Sequence, residues 1–100
     1  MIGLLPGVKL ITHTRHIDDR GYFTVLTNTT HDEMRGKFRQ VNMAKSHYNV
    51  LRGMHRQNQY KCVMPVFGRI FDVALNPETG EWFGIELDDS TGLLIPPQYA

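Results

Sequence analysis

This sequence is notable first for what it has little of. It has one cysteine, Cys62, in 100 residues, so no internal disulfide can form and a reducing compartment is expected. No apolar run approaches the roughly 20 residues that a membrane-crossing helix needs. Charge of one sign is not in excess: 11 Lys and Arg against 10 Asp and Glu give +1. That balance argues against a nucleic-acid binder, which would show a basic patch. Internal repeats, linkers and low-complexity stretches are missing as well. The opening segment from Met1 to Gly7 is too short for a secretory signal and lacks its cationic flank. The expectation is a cytoplasmic domain with neither nucleic acid nor membrane as partner.

What is present fits one globular unit spanning residues 1–100. The chain allows a single domain with a modest core, and 41% hydrophobic with 21% charged residues is a folded rather than a disordered composition. Val8 to Thr12 alternates as a strand does. Asp18-Asp19-Arg20-Gly21 is turn chemistry, and Tyr22 to Leu26 is rich in aromatic and β-branched residues. Asn28-Thr29-Thr30 before residues 31–36 predicts a capped helical turn ending at Gly36. Thereafter strands are predicted at Phe38 to Met43, Val50 to Gln57, Cys62 to Phe67, Ile70 to Leu75, Trp82 to Leu87 and Leu93 to Ile95. Asn76-Pro77-Glu78-Thr79-Gly80 is a strong hairpin turn, and Asp88 to Gly92 is another. Pro65 inside an apolar run predicts an edge or a bulge. Short strands with closely spaced turns point to an all-β sandwich or barrel.

The chemistry concentrates between Phe38 and Lys61. That run gathers Gln40, Asn42, Arg52, His55, Gln57 and Lys61 into 24 residues. If Val50 to Gln57 is a strand, Gly53, His55 and Gln57 share one face, where Gly53 would let another group approach the backbone. An imidazole with a pKa of about 6.5 is the usual side chain for taking a proton at neutral pH. Spacing alone nevertheless favours a histidine that merely satisfies a polar strand position. By the same measure Arg52 and Lys61 read as a solvated cationic pair. A metal site is disfavoured, because such sites generally repeat histidine two residues on, where Gln57 stands, and no glutamate follows within ten residues. His13, His16, His31 and His47 lie in predicted loops without ligand spacing.

The pattern F-x-Q-x-N-x3-S-x3-V-L-R-G-x-H-x-Q is carried here by Phe38, Gln40, Asn42, Ser46, Val50, Leu51, Arg52, Gly53, His55 and Gln57. It resembles the dTDP-4-dehydrorhamnose 3,5-epimerase family. The likeness extends upstream through Asp19-Arg20-Gly21-Tyr22-Phe23 and downstream through Gly68, Phe71-Asp72-Val73-Ala74 and Ile95-Pro96-Pro97. The resemblance implies a cupin-like jelly roll that epimerises C3 and C5 of a dTDP-4-dehydro-6-deoxyhexose without cofactor or metal. It makes His55 the catalytic base and sets Lys61 beside the C4 oxygen to stabilise the enolate. It brings Arg52 to the diphosphate, with Gln40, Asn42 and Gln57 as neutral substrate contacts. It also implies a homodimer, in which Arg20 and Phe23 reach the partner's nucleotide and the phenylalanine ring can stack on thymine.

Departures from the family pattern mark where the implication thins. Val25 stands where the family usually has a glutamate, and the segment from Gln57 to Lys61 is shorter than usual. Asp72 matches an acidic family position, although a strand reading makes it structural. The family's tyrosine acid, its second active-site histidine and the aspartate that orients the base have no counterpart here. In the family the Ile95-Pro96-Pro97 loop is followed by the rest of the jelly roll. The chain is therefore expected to be the first part of something longer, or naturally short. Two rival functions follow: a related 3-epimerase or ketoisomerase, and a non-catalytic subunit that binds nucleotide sugars.

Overall fold

The computed structural model describes residues 4–26, 37–38 and 40–100. Every regular element among them is a strand: β1 (Lys9–Thr12), β2 (His16–Asp18), β3 (Gly21–Phe23), β4 (Lys61–Val63), β5 (Ile70–Leu75), β6 (Trp82–Leu87) and β7 (Thr91–Ile95). β7 lies between β1 and β4 in an antiparallel sheet, with Leu10 opposite Leu93 on one side and Val63 opposite Leu93 on the other. β5 and β6 form a six-residue antiparallel hairpin that pairs Asp72 with Ile85 and Ala74 with Phe83. β2 and β3 make a separate small hairpin. No helix among the described residues is long and apolar enough to cross a membrane.

Alternation decides where the core sits. Ala74 on β5 shares a face with Phe83, Ile85 and Leu87 of β6, because residues paired across an antiparallel ladder point the same way. That face packs onto Leu93 and Ile95 of β7 and Val63 of β4, with Leu5, Val8 and Tyr99 completing the cluster. Leu87 and Leu93 have no exposed surface. Each such side chain contributes about 1.5–3 kcal/mol on burial. β7 is covered on both faces. Leu94 and Ile11 are buried on its far side, where Gly92 leaves space that the Met64 side chain and the Val63 carbonyl occupy; a Cβ there would lie 2.7 Å from Met64 Cγ.

The tail packs under this body. Tyr99 Oη donates to the Pro6 carbonyl at 2.8 Å, and Leu75 and Ala100 exchange backbone hydrogen bonds at 2.8 and 3.0 Å. The β5–β6 turn is built as its residues dictate. Gly80 N–H donates to the Asn76 carbonyl, Glu78 N–H donates to Asn76 Oδ1, and Gly80 takes φ +78°.

The β2–β3 hairpin has almost no buried surface of its own, so polar contacts attach it. Arg15 pairs with Asp89 and lies 4.7 Å over the Tyr22 ring. Tyr22 Oη donates to Asp89 Oδ2 at 3.3 Å, and Thr24 Oγ1 donates to the Thr14 carbonyl.

Several expectations need correction. Val50 to Gln57 is not a strand, nor do residues 38 and 40–43, the described part of the expected Phe38 to Met43 strand, form one; residues 40–59 form no regular element and are exposed throughout. A strand exists only where a neighbour completes its ladder, and no described strand runs beside them. Gly53, His55 and Gln57 therefore do not share a strand face. Gly53 is glycine for its φ of +126°, not for a close approach, since a Cβ there would meet nothing within 4 Å. The strand expected from Tyr22 to Leu26 stops at Phe23, and His16, expected in a loop, begins β2. The apolar run from Cys62 yields only Lys61–Val63, with Pro65 just beyond this edge strand. The helical turn expected at 31–36 lies outside the described residues.

Candidate active site

The motif residues sit on an exposed stretch tied together by local hydrogen bonds. Gln40 Nε2 donates to Asn42 Oδ1 at 3.0 Å, so these two amides stand side by side. Arg52 Nε donates to Ser46 Oγ at 2.7 Å, and Arg52 Nη2 donates to the Lys45 carbonyl at 3.0 Å. The turn between them closes through Val50 N–H to the His47 carbonyl, with Asn49 at φ +65°; asparagine tolerates that left-handed conformation better than most residues. Gln57 Oε1 accepts from Gln59 Nε2.

His55 and Lys61 come together. Lys61 Nζ donates to the His55 carbonyl at 2.8 Å, which ties the loop that carries the imidazole to the start of β4. Lys61 opposes Ile95, two residues before Val63 opposes Leu93, so it lies on the core-facing side of the sheet. Burial pulls its ammonium below the ordinary lysine value, and nearby Asp72 acts against that pull.

Asp72 is the residue that motif reading left without a role. It lies on the core-facing side of β5, opposite Ile85 and two residues from buried Ala74. Oδ1 accepts from Val73 N–H at 3.0 Å, whereas Oδ2 is buried and has no hydrogen-bond partner among the described residues. Burial raises its carboxyl above the ordinary range; the Val73 N–H and the Lys61 charge offset this in part. The signal was in the sequence: an acid in Ile70-Phe71-Asp72-Val73-Ala74-Leu75 on the same phase as Ala74. Cys62, next to Lys61, is half-buried, and burial pushes its thiol up to about 11.

Arg20 and Phe23 occupy the small hairpin. Arg20 donates to Asp18 through its backbone N–H and both Nε and Nη2, which holds that carboxyl below its usual range. Phe23 is 67% exposed, with its ring centroid 6.4 Å from that of His16. Among the described residues, the hydrogen bonds of Arg20 all go to Asp18, and none joins it to the motif stretch. Two groupings result: the His55 loop with Lys61 at the edge of the main sheet, and Arg20 and Phe23 on the exposed hairpin.

Known proteins resemble this chain in sequence and in fold. A dTDP-4-dehydrorhamnose 3,5-epimerase from Salmonella typhimurium is 35% identical over 111 aligned residues, covering 96% of this chain and 61% of the relative. The crystal structure of a dTDP-4-dehydrorhamnose 3,5-epimerase from Sulfolobus tokodaii superposes with a TM-score of 0.87 at 29% identity, covering 99% of this chain and 64% of that one. The Legionella pneumophila epimerase RmlC, solved in complex with dTDP-4-keto-L-rhamnose, gives 0.85 at 31% identity, with coverage of 96% and 58%. The chain thus spans about three-fifths of the length of these relatives and shares the cupin-like jelly-roll fold of the epimerases. The profile of the dTDP-4-dehydrorhamnose 3,5-epimerase family matches residues 4–100, and to that family the chain belongs.

Proposed function

We propose that this chain carries the base-bearing part of a cytoplasmic, homodimeric, cofactor-free sugar-nucleotide epimerase. Its reaction inverts C3 and C5 of dTDP-4-dehydro-6-deoxyglucose to give dTDP-4-dehydrorhamnose. The observation that carries the reading is the Lys61–His55 contact at 2.8 Å. That bond, from the Lys61 ammonium at the start of β4 to the His55 backbone carbonyl, makes a cation the neighbour of the residue that bears the base, which supports abstraction of a proton beside a ketone. The ligand named for the Legionella relative is of the same class.

The chemistry follows from the residues. Both inverted carbons flank the C4 carbonyl, so their protons are acidified by it. His55 takes the proton, and the electrons move onto the C4 oxygen as an enolate. A half-buried ammonium is well suited to stabilise that charge, because reduced solvation strengthens the interaction. Reprotonation from the opposite face completes the inversion. Arg52 meets the diphosphate and Gln40, Asn42 and Gln57 supply neutral contacts, while Arg20 and Phe23 reach the nucleotide of the partner subunit.

The test is to incubate the whole protein with dTDP-4-dehydro-6-deoxyglucose in D2O and read the product by NMR. Deuterium at both C3 and C5, with both centres inverted, is expected. Inversion at a single carbon would favour the 3-epimerase or ketoisomerase alternative. Saturable binding with no exchange would leave only a nucleotide-sugar-binding subunit.

A further inference from the structure

The Arg52 guanidinium is already half committed. Of its five N–H donors, Nε–H points at Ser46 Oγ and one Nη2 hydrogen points at the Lys45 carbonyl, at 2.7 and 3.0 Å. These two donors form one edge of the planar fork. Among the described residues nothing bonds the Nη1 and Nη2 end, and two parallel N–H groups there match two oxygens of a phosphate.

The loop is shaped to make this happen. Asn49 adopts φ +65°, and Val50 N–H closes on the His47 carbonyl. The chain thus doubles back and sets Ser46 against a side chain six residues later. Arg52 is exposed, and an unanchored arginine of this kind would sample many rotamers. Fixing one edge before the ligand arrives removes that ordering cost from the binding step.

We propose that Ser46 is a positioning residue for diphosphate recognition: with the Lys45 carbonyl it holds the side edge of Arg52, so that the end edge faces the phosphates of the nucleotide sugar. This rests on the reading above that Arg52 meets the diphosphate. Ser46 acts through Arg52, and discrimination between dTDP and thymidine measures the effect.

Calorimetric binding of dTDP and of thymidine to the whole protein tests it, using wild type, Ser46→Ala, Ser46→Thr, Arg52→Ala and the Ser46→Ala/Arg52→Ala double variant. Ser46→Ala should weaken dTDP about fivefold, the usual worth of one hydrogen bond, and leave thymidine unchanged. Ser46→Thr, which keeps the hydroxyl, should restore dTDP affinity. In the Arg52→Ala background, removing Ser46 should cost nothing more, since the two form one coupled unit. Equal losses for dTDP and thymidine, or an undiminished Ser46 effect without Arg52, would overturn the inference. Neither ligand turns over, so these arms read out whether or not the protein epimerises. A wild type that fails to prefer dTDP over thymidine sinks the Arg52 reading itself. A wild type that prefers dTDP but is matched by Ser46→Ala sinks only the role of Ser46.

Discussion

Residues 61–100 supply most of the buried side chains of the described fold, whereas residues 40–59 hold most of the motif residues and bury none of them. The body is a sheet and a hairpin closed on Ala74, Leu87, Leu93 and Ile95. The motif stretch is held by pairwise bonds: Gln40 to Asn42, Arg52 to Ser46, Gln59 to Gln57 and Lys61 to His55. Ligand-contacting residues commonly sit on loops carried by a rigid scaffold. The lesson is that stability and recognition are separable in this chain. Substitutions in the body should cost folding, and substitutions in the stretch should cost binding or chemistry.

The strongest way to break that division is in the core. Leu93→Ala empties a fully buried position between the two sheets and should destabilise by about 2–5 kcal/mol. Denaturant unfolding measures this. A loss below about 1 kcal/mol would mean that the core is looser than its burial indicates.

A second prediction marks the border between the two regions. Cys62 follows Lys61 at the start of the body, and burial pushes its thiol up to about 11 from an ordinary 9.0. Only the thiolate reacts, so alkylation at pH 8 should be about 100-fold slower in the native chain than in urea. Equal rates would place Cys62 in the open stretch rather than in the body.

The smallest effect concerns Asp72, the acid inside the body. Its carboxyl is raised above its ordinary value of 3.8, mainly by burial. An acid raised on folding contributes its stability below the unfolded value and loses it as pH climbs through the folded one. Asp72→Asn should therefore raise Tm at pH 7 and match wild type near pH 3.5, about where the unfolded acid protonates. A difference of the same size at both pH values would show that the effect is not one of ionisation.

Legibility in the sequence follows the same divide. Ile70 to Leu75 and Trp82 to Leu87 are readable to the residue, because they flank a six-residue connection whose pairing is local. β2 is not legible because His16-Ile17-Asp18 is too short to show a period; only the turn at Asp19 and Arg20 announces it. A period of two can be read into Val50 to Gln57, yet such a period records which side each residue would face and not whether a neighbour is there to pair. The motif identified the family and the candidate residues. The Lys61 to His55 carbonyl contact and the Ser46 anchor were invisible, since both depend on how the loop folds back.

The most direct test of the central claim compares wild type with His55→Asn in the whole protein, reading deuterium uptake at C3 and C5 of dTDP-4-dehydro-6-deoxyglucose together with Tm. The side chain is exposed, so its loss should leave Tm within about 1 °C, as surface substitutions do. Exchange at both carbons should be abolished. Exchange that persists in the variant at an unchanged Tm would contradict the account, because the base would then lie elsewhere.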